Sequence, residues 1–131
     1  MLNKDEHILI VDDYRTMLHI MTNLFKQLGY ENVDTETNVT DALLKLGKKK
    51  YGLVMAERRM EPRHALDLLQ TMREHDKTKD IPFMVLTGQT FGPNELTGFM
   101  RQGKVSYIVK PFNADTLKRK VNRLFEDIEH G

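Results

Sequence analysis

Apolar positions in this chain follow two periods, and the changes from one to the other mark out its elements. Residues 7–11, 51–56, 83–86 and 105–109 are short, nearly continuous apolar runs, the pattern of parallel strands covered on both faces. Residues 32–37 read as a weaker, more polar strand. Between the strands the spacing lengthens to i, i+3, i+4. Met17, Leu18, Ile20, Met21, Leu24, Phe25 and Leu28 predict a helix beginning near Tyr14 and closed by Gly29. Asn38 caps a second helix with Ala42, Leu43, Leu44 and Leu46 inward, ended by Gly47 and the Lys48-Lys49-Lys50 loop. Pro62 starts a third, with Ala65, Leu66, Leu68, Leu69 and Met72 inward. Pro93 starts a fourth over 94–102, weakened by Gly98 at a cost of about 1 kcal/mol relative to alanine. Asn113 caps the last, with Leu117, Val121, Leu124, Phe125 and Ile128 inward. Five βα repeats predict an α/β fold: one domain over 1–131, a doubly wound five-stranded parallel sheet with right-handed crossovers.

The strands end in polar residues. They are Asp12-Asp13, then Glu57-Arg58-Arg59, then Thr87-Gly88, then Lys110-Pro111. Parallel pairing gathers them at the carboxyl edge, where open α/β sheets hold their ligands. Composition narrows the chemistry. With no cysteine, disulfides, thiolate metal sites and cysteine nucleophiles are excluded. A net charge of +1 predicts neither a nucleic-acid polymer nor a membrane surface as partner, so local clusters matter more than the sum. Apolar runs of about five residues fall far short of the roughly 20 that cross a bilayer. The polar N-terminus is unlike a signal peptide, and a soluble cytoplasmic protein is expected. His7, His19, His75 and His130 lack metal-ligand spacing, and the eight methionines sit mainly at helical core positions.

The four strand ends, in this order and at this spacing, resemble the receiver domain of bacterial response regulators, the single-domain CheY-like type, from about Ile8 to Phe125. The resemblance implies a flavodoxin-like (βα)5 fold. It also implies that Asp12 and Asp13 stand where the family binds magnesium, and that Thr87 and Lys110 contact a phosphoryl group. Tyr107 stands at the aromatic switch position of the fifth strand. Glu57 occupies the place of the phosphate-accepting aspartate. Ala65 replaces the usual glycine of the following loop, and Asn38-Val39 replaces the Asp-Gly that usually opens the second helix.

Charge counting at the pocket leads away from the family's usual chemistry. Asp12, Asp13 and Glu57 contribute −3, and Lys110, Arg58 and Arg59 supply up to +3. Strand alternation lets one of the two arginines face inward, which leaves −1. An inward guanidinium would fill the place of magnesium, which weighs against metal binding. The extra methylene of glutamate displaces its carboxylate from in-line geometry, which weighs against phosphorylation. A longer acid also reaches toward Thr87 and Lys110, partly imitating an acyl phosphate. A plain buried salt bridge is the other reading of Glu57.

Arg58, Arg59, Arg63 and His64 crowd the mouth of the site, and Arg15 stands close to the acidic pair. Arginine forks onto phosphate, stacks on purines and reads guanine edges. A degenerate acceptor with this arginine-rich segment resembles the CheY-like cyclic di-GMP effectors of alphaproteobacteria. That resemblance implies a non-enzymatic pseudo-receiver which binds cyclic di-GMP and docks on a flagellar motor switch protein to tune motility and surface attachment. One alternative is a ligand-independent interaction module. The other is a magnesium-dependent, phosphorylatable chemotaxis regulator. Lys118, Arg119, Lys120 and Arg123 form a polar face on the last helix, most simply a solubilising one.

Overall fold

The computed structural model describes residues 1–88 and 91–130. Its elements alternate as β1 (Ile8–Val11), α1 (Arg15–Gln27), β2 (Val33–Glu36), α2 (Val39–Lys48), β3 (Leu53–Glu57), α3 (Ala65–Arg73), β4 (Phe83–Thr87), α4 (Pro93–Met100), β5 (Val105–Val109) and α5 (Ala114–His130). All strand pairs are parallel, in the order β2-β1-β3-β4-β5. This is the doubly wound parallel α/β sheet expected from the pattern, in the flavodoxin-like order that the family resemblance implied.

The pleat divides the strands between two cores. Ile8, Ile10, Leu53, Met55, Met84, Leu86 and Ile108 pack under α1 and α5. Leu9, Val11, Val54, Ala56, Phe83 and Val85 pack under α2 and α3, with Phe99 of α4. Period-two alternation on strands covered on both sides produces both faces at once. Five of the methionines, Met21, Met55, Met60, Met72 and Met84, are core residues. The polar strand β2 lies at the sheet edge and is nowhere fully buried.

Local signals place most helix ends. Asn38 Oδ1 accepts the Asp41 N–H at 2.8 Å, and Asn113 Oδ1 accepts the Thr116 N–H at 2.9 Å. Gly29, at φ 96°, lets the Tyr30 N–H turn back to the Phe25 carbonyl at 3.0 Å. Three expectations are corrected. α3 begins at Ala65, not at Pro62, because the Asp67 carboxylate at the third helical position accepts the His64 N–H at 2.9 Å and sets the start there. Gly47 lies inside α2, which runs on to Lys48. Ile20 and Leu44 are 45% and 59% exposed, because each falls one or two positions off the stripe that its helix buries. α4 buries only Phe99. Its Gly98 faces Leu66 of α3, where an added Cβ would sit 3.4 Å from Cδ2.

Candidate functional site

Sheet register brings the strand ends together. Val11 pairs with Ala56, Glu57 with Leu86, and Thr87 with Val109. Two further main-chain bonds extend the ladder, from Arg58 N–H to the Leu86 carbonyl at 2.8 Å and from Lys110 N–H to the Thr87 carbonyl at 2.7 Å. The pleat then sorts the side chains. Asp12, Glu57 and Lys110 continue the rows of Ile10, Met55 and Ile108 on the α1/α5 face. Arg58, Thr87 and Tyr107 continue the rows of Ala56 and Val85 on the α4 face.

On the first face, Lys110 Nζ donates to Glu57 Oε2 at 2.9 Å. Asp12 is 1% exposed. Its Oδ1 accepts the Tyr14 N–H at 2.9 Å, while its Oδ2 is buried without a hydrogen-bond partner among the described residues. Burial pushes the Asp12 carboxyl up to about 6, opposed by the Tyr14 bond, with Glu57 adding to the rise and Lys110 opposing it. Asp13 is exposed.

On the second face Arg58 does something the sequence did not indicate. Its guanidinium makes a bidentate ion pair with Glu95 in the first turn of α4, through Nε to Oε1 and Nη2 to Oε2. Nη1 reaches Thr87 Oγ1 at 3.5 Å, and Cζ stands 5.0 Å from the Phe91 ring centroid. Phe91 meets Tyr107 edge-on at 5.2 Å, and Lys120 Nζ lies 4.8 Å from the Tyr107 ring centroid. A run of contacts therefore joins the end of β3 to α5 by way of Phe91 and the half-buried Tyr107.

This geometry corrects the expected charge balance. Arg58 faces away from Asp12 and Asp13 because it is one residue out of step with Glu57, and its charge is matched by Glu95. Asp12, Glu57 and the exposed Asp13, near enough to act on Asp12 through its charge, leave a formal −2 at the acidic site against Lys110. The expectation that an arginine fills a magnesium site therefore fails. Asp12 and Asp13 are hard oxygen donors of the kind a divalent ion takes, and Oδ2 of Asp12, without a hydrogen-bond partner among the described residues, is the oxygen such an ion would satisfy. Among the described residues, no three Asp, Glu or His groups converge at metal-binding geometry. Glu57 has one oxygen engaged by Lys110.

The remaining candidates scatter. Arg59 is exposed and makes no ion pair among the described residues. Arg63 Nη2 turns back to Thr71 Oγ1 of α3 at 3.4 Å. His64 precedes α3, where its Nδ1 accepts the Met60 N–H at 3.3 Å. Arg15 lines a groove with Leu18, His19, Val33 and Thr35 between α1 and β2, on the far face of the sheet from Arg58. Sequence reasoning missed Glu95 and Phe91. An acid in the first turn of a helix reads as ordinary helix chemistry, and nothing local links residue 58 to residue 95.

A response regulator receiver domain model matches residues 8–122. Chemotaxis protein CheY-3 of Vibrio cholerae is 35% identical over 125 residues, covering 95% of this chain and 95% of that protein. Chemotaxis protein CheY of Pseudomonas aeruginosa is 31% identical over 121 residues, covering 92% and 97%. The solved structure of chemotaxis response regulator CheY4 of Vibrio cholerae matches with a TM-score of 0.82 over 92% of this chain and 98% of that one. At 24% identity that likeness speaks for the fold alone.

Proposed function

The chain belongs to the response regulator receiver family, and on that premise we propose that it is a CheY-like signalling module which works without phosphorylation. Its input is cyclic di-GMP, taken at the arginines that follow β3. Its output is docking on a flagellar motor component, as the chemotaxis names of its relatives suggest. The observation that carries this reading is the pair of substitutions around position 57. Glu57 holds Lys110, the cation that would otherwise meet a phosphoryl group, and Arg58, paired with Glu95, keeps its guanidinium plane over Phe91 beside the exposed Arg59.

Such a plane suits a ligand that offers both phosphodiesters and guanines. Arg58 and Arg59 supply the fork and the free cation. Arg63 and His64, bonded to Thr71 and Met60, shape the loop, and Arg15 lies outside the site. Magnesium at Asp12 and Asp13 would supply charge neutralisation there, and no step of this reading runs through it. Calorimetric titration with cyclic di-GMP, beside GTP and the linear dinucleotide, tests the input. Saturable binding of the cyclic dinucleotide alone is expected, and its absence leaves a ligand-independent interaction module.

One observation favours a second reading. The formal −2 on the acidic face and the orphaned Asp12 oxygen are what a magnesium-dependent, phosphorylatable receiver would present. Incubation with acetyl phosphate and magnesium, read as a mass gain on the protein, separates the two.

A further inference from the structure

The bidentate seat of Arg58 is already filled. Glu95 puts both carboxylate oxygens on Nε and Nη2, the fork geometry that an arginine offers a phosphate. The Arg58 side chain is 10% exposed and that of Glu95 is 29% exposed, so the pair is substantially shielded from water. A second tether holds the other end of the helix. Arg73 of α3 donates from Nε to the Gln102 carbonyl at 3.2 Å and from Nη2 to the Gly103 carbonyl at 3.0 Å. Between the tethers α4 buries only Phe99 and has Gly98 within its last turn, so little else fixes it. The two arginines come from the ends of different elements, one after β3 and one at the close of α3.

We propose that Glu95 is an internal anion in the Arg58 seat, and that an incoming phosphodiester competes with it. Binding then frees the N-terminal turn of α4, while Arg73 keeps the C-terminal end attached. The inference rests on the reading of cyclic di-GMP as the input, and it adds how that input is held off and relayed. A ligand shifts a two-state element only by its differential affinity for the two states. Here the difference is that one state offers an occupied arginine and the other a vacant one. The Arg58 guanidinium that Glu95 leaves stands over Phe91, and Phe91 packs on Tyr107, so the release occurs one contact away from the switch position. Ligand at the arginine and posture of α4 are thereby the same event.

Amide exchange and calorimetry on Glu95→Gln, Arg58→Gln and the double variant test this. Without ligand, both single variants should exchange faster over residues 93–97 than wild type, with residues 99–103 unchanged. The double variant should exchange no faster than either single one, because all three lose the same interaction. Glu95→Gln should bind cyclic di-GMP roughly tenfold more tightly than wild type, since the competing state is removed. Unchanged exchange over 93–97, additive effects in the double variant, or equal affinity of Glu95→Gln and wild type would each overturn the proposal. If neither protein binds the nucleotide, the input reading fails, and the exchange results alone decide whether the tether exists.

Discussion

Lys110 Nζ lies 2.9 Å from Glu57 Oε2, joining the carboxyl ends of β3 and β5 across the intervening β4. Glu57 closes β3 and Lys110 follows β5, two positions away in the sheet, and the extra methylene of glutamate helps its carboxylate span that interval. The Glu57 and Lys110 side chains are 15% and 29% exposed, so the pair is more shielded than a surface ion pair and still reached by water. Glu57→Gln should lower stability by about 1–2 kcal/mol, between the values of exposed and fully buried pairs. Urea unfolding at neutral pH measures it, and an unchanged midpoint would show the pair to be energetically silent.

The same pairing bears on phosphorylation. Glu57 has Lys110 on one oxygen and a carboxylate longer by one methylene than the aspartate that the family places there. Incubation with acetyl phosphate and magnesium should give no acyl-phosphate mass gain. A stoichiometric gain that disappears in Glu57→Gln would establish the phosphorylatable reading instead.

Asp12 should make stability depend on pH in a defined direction. Its folded carboxyl titrates at about 6, above the ordinary 3.8, because burial disfavours the charge. Between those values the native state binds the proton and the unfolded chain does not, so this group's contribution to stability falls as pH rises and levels off above about 6. Two units correspond to about 3 kcal/mol at most. In metal-free buffer Asp12→Asn should therefore be more stable than wild type near neutral pH, by roughly 2–3 kcal/mol. The gap should close as pH falls toward about 4. Thermal unfolding across that range checks it, and a gap that widens on acidification would contradict the assignment.

Arg58 and Arg59 should differ in what their loss does. Each truncation to alanine is expected to weaken cyclic di-GMP binding by about 1–3 kcal/mol. Arg59 is exposed, and its loss should leave stability within about 0.5 kcal/mol of wild type. Arg58 is shielded, paired with Glu95 and stacked on Phe91, so Arg58→Ala should also destabilise by roughly 1–2 kcal/mol. The neighbours read alike as loop arginines and are separated by burial. Wild-type nucleotide affinity in both variants would remove the arginine segment from the site.

Tyr107 should act on output more than on input. It meets Phe91 at 5.2 Å and carries Lys120 over its ring, and among the described residues it shares no hydrogen bond or cation–π contact with Arg58. Tyr107→Ala should leave cyclic di-GMP affinity within about twofold of wild type, a few tenths of a kcal/mol. The same variant should weaken capture of the flagellar partner. Titration of the variant alongside partner binding reads both, and a matching loss in each would place Tyr107 in the ligand seat.

What the sequence determined about this protein was local in origin. Periods of 2.0 and 3.6 mark which segments become strands and which become helices, and Asn38, Gly29 and Asn113 mark ends by hydrogen bonds to neighbours a few residues away. Parallel order follows from alternation of the elements, so the meeting of Asp12, Glu57, Thr87 and Lys110 at one edge was legible. Even the opposition of Glu57 and Arg58 follows from strand parity. The partner of Arg58 was not legible. Glu95 lies 37 residues further along the chain, and only the docking of α4 beside the end of β3 brings the two together. The burial that raises the Asp12 carboxyl likewise depends on what the sheet and its helices pack around it. A charge written in sequence carries its sign, whereas its partner and its solvation belong to the packed structure.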